Sequence, residues 1–359
     1  MYKTLTPLIT AVVLLLSLTC SAQELSDGPY IRIKNDSASI TWIENNSVHH
    51  QQLDTVAAKR WLHRKYPRLF STNTSFTLKH APEVVDLPKN TPLAFLSDPH
   101  GQLEVFTTLL QNHQIIDEQW NWSFGKGHLM LVGDVFDRGP GATEILWLLY
   151  KWQQQATEAG GALYMVPGNH ELMVLQNDLR YLHNKYLQVD SLLGTTQTAL
   201  YDSTMLMGQW LRQRPTIMKI NSTLVVHGGI SPKLIASGND LHAINRSVRQ
   251  TMDLSRDSIR STPSLSLLYR GNGPFWYRGF FKEALTPDQV DSLLEHFQAE
   301  RIVVGHTSFS SLHPVFGHKV IGVDASMKRG KSGEILLYKS GKWLRGTFAG
   351  EEFPLKAQE

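Results

Sequence analysis

The chain has 359 residues, 42% of them hydrophobic, and its 35 basic residues stand against 32 acidic ones. A chain of this length can bury a sizeable core and can form one large domain or two smaller ones. The near balance of charge argues against a nucleic-acid-binding protein.

The first 22 residues have the pattern of a secretory signal peptide. Lys3 precedes an apolar run at 11–16, and the small residues Cys20-Ser21-Ala22 provide a cleavage site. The apolar run is too short to cross a membrane. We therefore expect residues 1–22 to be removed and the mature chain, without a membrane span, to be periplasmic or secreted; an uncleaved anchor is the alternative. Because Cys20 is the only cysteine, hydrolases that form a phosphocysteine are excluded.

Residues 23–90 are predicted to be an N-terminal extension that packs on the main domain. Alternating apolar residues at 30–34 and 39–43 indicate two short strands, and the polar turn at 35–37 joins them as a hairpin. Residues 57–62 are predicted to form a helical turn.

The main domain is predicted at 91–348, where a short apolar strand, a polar loop and a helix recur in that order. The strands are expected at 93–96, 128–132, 163–166, 224–226 and 302–304. Continuous apolar runs suit strands that are buried on both faces, which indicates an α/β fold. In such sheets, binding sites form in the loops beyond the carboxyl ends of the strands. The five loops are therefore expected to meet at one rim.

Three further segments complete the predicted organisation. Residues 172–215 are expected to form a helical insertion over the site. Closing strands are predicted at 320–323, 335–338 and 342–344, and 349–359 is expected to be a polar tail.

The loops after the five strands carry side chains of metal-ligating type, namely Asp98, His100, Asp134, Asn169, His227 and His306. Asp98 and His100 are two apart, so on an extended segment they point the same way and can hold one metal. The carboxylate of Asp134 can bridge to a second ion, whose ligands are completed by the other three. Oxygen and imidazole ligands without sulfur suit Mn, Fe or Zn.

Two divalent ions roughly 3.5–4 Å apart can stabilise an in-line displacement at phosphorus and supply hydroxide near neutral pH. His170, which follows Asn169, is then the candidate acid that protonates the leaving oxygen, with Asp137 as its orienting partner. Arg138 can direct a planar donor fork at the phosphate oxygens. A second phosphate-binding arginine is expected at Arg278, in the aromatic loop at 274–279.

The sequence Gly-Asp-x-x-Asp-Arg-Gly at 133–139, with Gly-Asn-His-Glu at 168–171, resembles the phosphoprotein phosphatases of the calcineurin-like metallophosphoesterase superfamily. The resemblance covers about 91–325. It implies a metallophosphatase-type sandwich of two mixed β-sheets flanked by helices, and it implies the same roles for the ten residues named above. The 276–279 loop and the 305–307 segment look like those of the bacterial Shewanella-like phosphatases, several of which prefer phosphotyrosine.

The chain departs from the family's pattern at two places. Ser97 replaces the glycine that usually precedes the first aspartate, which changes backbone freedom but no ligand. The aspartate-rich segment before the second arginine is absent at 267–273, so Arg270 is a rival to Arg278 as the second phosphate ligand.

The residues and the resemblance together predict an exported phosphomonoesterase that acts on a phosphorylated protein, a phosphopeptide or a small phosphomonoester. A dinucleoside polyphosphate hydrolase or a phosphodiesterase on the same site is the alternative enzyme. Arg138 favours monoesters, because a dianionic terminal phosphate gains most from another cation. A binding protein that kept the fold without activity is the alternative from another class.

Overall fold

The computed structural model describes residues 24–78, 80–283 and 285–356. The proposed signal peptide at 1–22 and the last three residues of the polar tail lie outside the described residues. In the described part, two six-stranded mixed sheets face each other and helices cover their outer surfaces, while a three-stranded antiparallel sheet lies at the N-terminus. The α/β class and the sandwich of mixed sheets that the resemblance implied are therefore confirmed.

The N-terminal sheet is an antiparallel meander of β1 Asp27–Lys34, β2 Ser37–Glu44 and β3 Ser47–Asp54, followed by helix α1 Thr55–Lys65. The first two strands form the predicted hairpin. The third strand was not predicted, because its sequence is largely polar and its side chains are mostly exposed. The predicted helical turn is longer than expected, because α1 has eleven residues. The Asp54 carboxylate caps its start by accepting from the N–H groups of Val56 and Ala57.

The remaining strands, in chain order, are β4 Val84–Val85, β5 Leu93–Leu96, β6 His128–Leu131, β7 Ala162–Met165, β8 Ile217–Ile220, β9 Thr223–Val226, β10 Arg301–Val304, β11 His313–Val315, β12 Val320–Gly322, β13 Ile335–Lys339, β14 Lys342–Gly346 and β15 Glu352–Pro354. The remaining helices are α2 Leu103–Asn112, α3 Ala142–Glu158, α4 Asn169–Leu175, α5 Asn184–Leu193, α6 Gln197–Leu200, α7 Leu206–Arg212, α8 Pro232–Ala236, α9 Leu241–Thr251, α10 Arg256–Ser261, α11 Pro263–Tyr269, α12 Gly279–Lys282 and α13 Pro287–His296, with a 3₁₀ turn at Met327–Arg329.

One large sheet has the order β15-β14-β13-β5-β6-β7, with β5, β6 and β7 parallel and the other pairs antiparallel. The other has the order β11-β12-β10-β9-β8-β4, in which β10 runs parallel to both β9 and β12. Strand β15 lies in the segment predicted as a polar tail. Its three side chains are exposed, so a strand that adds only to the sheet edge leaves no apolar pattern in the sequence.

Alternation of side chains along the strands builds the layers of the core. In β5, Leu93 and Phe95 enter the apolar layer between the two large sheets, whereas Ala94 and Leu96 face helices α2 and α3. In β9, Val225 points into the same central layer, and its neighbours Leu224 and Val226 face the helices on the opposite outer surface. Both faces of these strands are thus buried, which explains their continuous apolar sequences.

The segment 172–215 contains the end of α4 and helices α5 to α7. Helix α5 packs on β3 and helix α7 packs on β1, so these helices contact the N-terminal sheet. Tyr181 lies in the link between α4 and α5, and its side chain contacts His170 of the candidate site. Within the described part of the chain, no helix is both long enough and apolar enough to span a membrane.

Candidate metal centre

All six predicted ligands lie beyond the carboxyl ends of strands. They are buried, with at most 3% of the surface of each residue exposed: Asp98, His100, Asp134, Asn169, His227 and His306. Three of the strands that carry them, β5, β6 and β7, belong to one large sheet, and β9 and β10 belong to the other. The ladder between β5 and β6 continues into the loops, where Asp98 N donates to Gly133 O and His100 N donates to Asp134 O. The facing sheets therefore bring these loops together.

The carboxylate of Asp134 lies at the middle of the cluster. Its Oδ2 atom is 3.2 Å from His227 Nε2, 3.6 Å from His100 Nε2 and 4.0 Å from His170 Nε2. Burial opposes the charge of this carboxyl group, but the surrounding imidazoles hold the pKa of Asp134 well below its usual value. Ligand atoms of His100, Asp134 and His170 form one group that could hold an ion, and those of Asp134, His227 and His306 form another. Asp134 is common to both groups, as a bridging ligand would be.

Asp98 and His100 form one side of the cluster, with Asp98 Oδ2 at 3.7 Å from His100 Nε2. Their separation in sequence does not act through an extended segment as predicted, because both residues have left-handed backbone angles. His100 Nδ1 donates to Phe136 O at 2.7 Å, which leaves the lone pair of Nε2 directed at the carboxylates. Burial lowers the pKa of His100 to about 3, so its ring is neutral, as a metal ligand must be.

His227, Asn169 and His306 form the other side. His227 Nδ1 donates to Val132 O at 2.6 Å, and its Nε2 atom lies 3.2 Å from the Asn169 side-chain oxygen. Burial disfavours the charged ring, yet the neighbouring Asp134 carboxylate raises the pKa of His227 to about 9. Burial also lowers the pKa of His306 well below its usual value. The Asp134 carboxylate favours a proton on His227. A cation bound between these two side chains would replace that proton.

The donor set fits divalent cations. Asp98 and Asp134 are two buried carboxylates close together, and burial together with Asp324 and Asp134 raises the pKa of Asp98 well above its usual value. The buried His306 Nε2 atom has no hydrogen-bond partner in the described part of the chain. Buried polar atoms are normally paired, so an imidazole nitrogen without a hydrogen-bond partner, close to two buried carboxylates, fits a site for a cation.

Six of the ten candidate residues have φ angles between 43° and 71°, in the left-handed region: Asp98, His100, Asp134, Asp137, Arg138 and His306. This conformation is uncommon for residues other than glycine, although Asp and His adopt it more readily than most. Each instance costs on the order of 1–3 kcal/mol and persists only where the surrounding structure enforces it. The concentration of such residues here marks the cluster as a site that the fold holds under strain.

His170 and Asp137 form a buried pair beside the cluster. His170 Nδ1 lies 2.5 Å from Asp137 Oδ2, which fixes the ring so that Nε2 faces Asp134. The Tyr181 ring packs on the His170 ring at a tilt, with the two centroids 5.4 Å apart. Tyr181 was not singled out from the sequence, since nothing in its local sequence distinguishes it from the other residues of the insertion.

The two predicted arginines approach the cluster from different sides. Arg278 is half-buried, and its Nη1 atom donates to His306 O at 2.6 Å while Nη2 lies 3.4 Å from His306 Nδ1. Arg138 is exposed, and its guanidinium lies over the Tyr181 ring at 5.1 Å. The rival Arg270 is exposed and lines a neighbouring cavity, and within the described part of the chain its side chain forms no hydrogen bond or ion pair with the candidate ligands. The contact of Arg278 with His306 therefore makes it a better candidate than Arg270 for the second phosphate-binding arginine.

Glu171 is a buried residue that the motif contained but to which the sequence reasoning assigned no role. Its carboxylate accepts from four backbone N–H groups, those of Asp134, Val135, Phe136 and Gly168, at 2.6–3.3 Å. It thereby joins the start of α4 to the loop after β6. Gly168 is required at this junction, because a Cβ atom there would lie 2.1 Å from Asp134 Oδ1. Glu171, which follows Asn169 and His170 in the chain, therefore fixes the loop that carries Asp134.

Comparison with known proteins identifies the class. Residues 91–308 match the family described as calcineurin-like phosphoesterase, and this match spans more than half of the chain. The chain belongs to this family. It is accordingly a metallophosphoesterase, a hydrolase of phosphoesters, and its clustered Asp, His and Asn side chains are the candidate metal-binding residues.

Individual proteins within and near this family are also similar to the chain. A cold-active protein-tyrosine phosphatase of a psychrophile Shewanella sp. is 37% identical, covers 92% of this chain and 99% of its own, and superposes with a TM-score of 0.82. Shewanella-like protein phosphatase 2 of Arabidopsis thaliana is 26% identical over 286 residues, which are 66% of this chain and 72% of that protein. A symmetrical bis(5'-nucleosyl)-tetraphosphatase of Chromobacterium violaceum is 30% identical over 140 residues, 38% of this chain and 43% of that protein. The resemblance to Shewanella-like phosphatases is thus confirmed.

Proposed function

We propose that this chain is an exported phosphomonoesterase that uses two divalent metal ions to remove phosphate from proteins. The observation that carries the proposal is the buried Asp134 carboxylate, with His100 and His170 on one side and His227 and His306 on the other. A carboxylate shared by two ligand groups is the arrangement that a dinuclear site requires. The ions are proposed to be Mn, Fe or Zn, because oxygen and imidazole donors bind these metals.

In this proposal Asp98, His100 and Asp134 would hold one ion, and Asp134, Asn169, His227 and His306 would hold the other. When bound, the two ions supply Lewis acidity and a hydroxide nucleophile near neutral pH. Arg138 and Arg278 align the phosphate through their planar donor forks and neutralise its oxygens. His170 Nε2 donates a proton to the leaving oxygen, and Asp137 keeps the ring in the orientation that this transfer needs.

A protein substrate, with phosphotyrosine as the first candidate, is supported by the likeness to the Shewanella sp. protein-tyrosine phosphatase over 92% of this chain. Tyr181 offers further support, because its 44% exposed ring stands next to His170 and Arg138. An aromatic leaving group can stack against such a ring. Phosphoserine and phosphothreonine lack this contact, so we expect them to be poorer substrates.

The decisive test compares hydrolysis rates on phosphotyrosine peptide, phosphoserine peptide, diadenosine tetraphosphate and bis-p-nitrophenyl phosphate, with metals quantified on the same preparation. The proposal requires about two metal ions per chain and the highest kcat/KM on a phosphopeptide. A preference for diadenosine tetraphosphate would instead support the function of the Chromobacterium violaceum relative. A preference for the diester would indicate a phosphodiesterase.

Asp134→Asn tests the shared ligand. Because a neutral amide cannot hold two cations together, we expect loss of bound metal and a fall in kcat/KM of about a thousandfold or more. Metal analysis by mass spectrometry and a p-nitrophenyl phosphate assay measure the two effects. Asp288→Asn, at an exposed position of α13, is the matched control and should change neither. Retention of both ions by Asp134→Asn would contradict the bridging role.

Export is a separate element of the proposal and is supported by the signal pattern of residues 1–22. Expression of the whole chain in a Gram-negative host should yield a periplasmic or secreted protein that begins near Gln23. A version that starts at Gln23 should stay in the cytoplasm. N-terminal sequencing of the fractionated protein checks both outcomes, and an uncut, membrane-bound whole chain would contradict the proposal.

A further inference from the structure

A cavity of about 320 Å³ beside the candidate metal centre is lined by four arginines and a single acidic side chain. The charged residues are Arg180, Arg256, Arg260, Arg270 and Asp178. We call this cavity the arginine groove. Its charge is unusual for this chain, whose basic and acidic residues are otherwise nearly balanced.

Two chain segments connect the arginine groove to the metal centre. Arg180 lines the groove, and the next residue, Tyr181, packs on the ring of His170. Trp276 also lines the groove, and its ring meets the His306 ring edge-on with centroids 5.7 Å apart. The arginine groove therefore adjoins the candidate metal centre on the side of Tyr181 and Trp276.

Among the described residues, two carboxylates form ion pairs with three of the four arginines of the groove. The buried Asp178 carboxylate is shared by Arg180, at 2.7 Å, and Arg256, at 2.8 Å. Arg260 has only a loose contact with exposed Asp257, at 3.7 Å. The side chain of Arg270 forms no hydrogen bond or ion pair with any residue that the structure describes. Arg260 and Arg270 are thus available to an external anion.

We propose that the arginine groove binds an acidic segment of the substrate protein, next to the phosphorylated residue, and so selects substrates with acidic flanks. The inference rests on the proposed phosphatase function and names its substrate class. Guanidinium groups pair with carboxylates and phosphates in the same planar geometry, so a second phosphoresidue has the same recognition chemistry as aspartate or glutamate. The apolar wall of the groove, which includes Ile259 and Tyr269, can contact the aliphatic part of an acidic side chain.

The experiment uses the full chain in its metal-loaded form and phosphotyrosine peptides that differ only in their flanks. Flanks of glutamate, alanine, lysine or phosphoserine are placed on either side of the phosphotyrosine. We expect kcat/KM on glutamate-flanked peptide to exceed that on alanine-flanked peptide by about tenfold, the effect of two exposed ion pairs. Lysine flanks should be the poorest, and added salt should reduce the difference. Phosphoserine flanks that exceed glutamate would identify a second phosphate as the preferred anion.

Arg260→Glu tests the groove without altering the metal centre, because Arg260 is an exposed residue of helix α10. The preference for glutamate over alanine flanks should fall by about threefold or more, and lysine-flanked peptide should improve. Hydrolysis of p-nitrophenyl phosphate, which has no flanks, should stay unchanged. Arg246→Glu makes the same charge change at an exposed position of α9 that does not line the groove, and should preserve the preference.

The possible results separate this inference from the proposed function. Equal rates on all flanks, with normal p-nitrophenyl phosphate hydrolysis, would overturn the groove proposal and leave the phosphatase intact. A preference that Arg260→Glu and Arg246→Glu reduce equally would also overturn it, since the cause would then be the general charge of the surface. Absence of hydrolysis of every phosphomonoester, in a metal-loaded sample, would overturn the proposed function and the inference together.

Discussion

At the residue scale, the histidines of the cluster differ in what holds their second nitrogen. His100 and His227 each donate Nδ1–H to a backbone carbonyl, that of Phe136 or Val132, so Nε2 is the nitrogen that faces the Asp134 carboxylate. His170 Nδ1 instead contacts the Asp137 carboxylate, 2.5 Å from Oδ2. Either kind of partner fixes the orientation of an imidazole, and a carboxylate partner can also stabilise the charged ring of a histidine that transfers a proton. The Asp137 partner is therefore compatible with the proton-donor role that we propose for His170, and a variant separates that role from metal binding.

The variant His170→Asn tests this distinction, because ligand atoms of His170 also lie within 4.8 Å of those of His100 and Asp134. If His170 is the acid, kcat on an alkyl phosphate should fall by about 10²–10⁴-fold while the metal content stays the same. The defect should be smaller on p-nitrophenyl phosphate, whose leaving group needs less protonation. Exposed His242→Asn is the control. Loss of metal would make His170 a ligand, and normal turnover of the alkyl phosphate would remove it from the mechanism.

At the scale of elements, the site depends on how helix α4 is joined to strand β6. The Glu171 carboxylate receives two backbone N–H groups on each oxygen, and three of these four donors belong to the loop that carries Asp134. A helix of seven residues contributes little stability by itself, so this buried carboxylate and its donors hold α4 and the loop in register.

Glu171→Gln is therefore expected to destabilise the chain. The amide nitrogen that replaces one oxygen would face two backbone donors, and the free energy of unfolding should fall by about 2–4 kcal/mol. Metal affinity should fall as well, because the Asp134 loop loses its anchor. Chemical denaturation and metal titration measure these effects. Glu295→Gln on the exposed face of α13 should change stability by no more than about 0.5 kcal/mol. Unchanged stability of Glu171→Gln would show that the anchor is dispensable.

At the scale of the whole molecule, the N-terminal sheet and the phosphoesterase domain share one apolar cluster. Ile31 and Ile40 of the sheet belong to the same cluster as Trp147 of α3 and Tyr201 of the insertion. Lys185 of the insertion adds an ion pair to buried Asp27 at 2.6 Å, and the two carboxylates Asp27 and Glu144 raise the pKa of Lys185 although burial opposes its charge. The N-terminal residues are thus a structural part of the domain core.

This shared core predicts a single cooperative unfolding transition. Ile31→Ala should lower the free energy of unfolding by about 2–5 kcal/mol, because it leaves a cavity in that cluster. The temperature of unfolding by circular dichroism and the temperature of activity loss should fall together. Val48→Ala, at a 36% exposed position of β3, should leave both temperatures nearly unchanged. Separate transitions for the N-terminal sheet and the activity would contradict a common core.

The sequence by itself determined the family, the candidate ligands and the strands that precede them. The predicted strands before Asp98, Asp134, Asn169, His227 and His306 agree with β5, β6, β7, β9 and β10 to within about a residue at each end. These features are local, since apolar runs and the loop residues that follow them lie next to each other in the chain. Strands β3 and β15 were missed because their side chains are polar or exposed, so they leave no apolar pattern.

Only the tertiary structure decided how those residues meet. The site draws on two facing sheets, so its ligands come together through packing between segments that are far apart in sequence. Left-handed backbone at Asp98 and His100, the anchor at Glu171, the contact of Arg278 with His306 and the arginine groove all depend on such contacts. Local sequence does not encode them, because each is fixed by neighbours that only the folded chain provides.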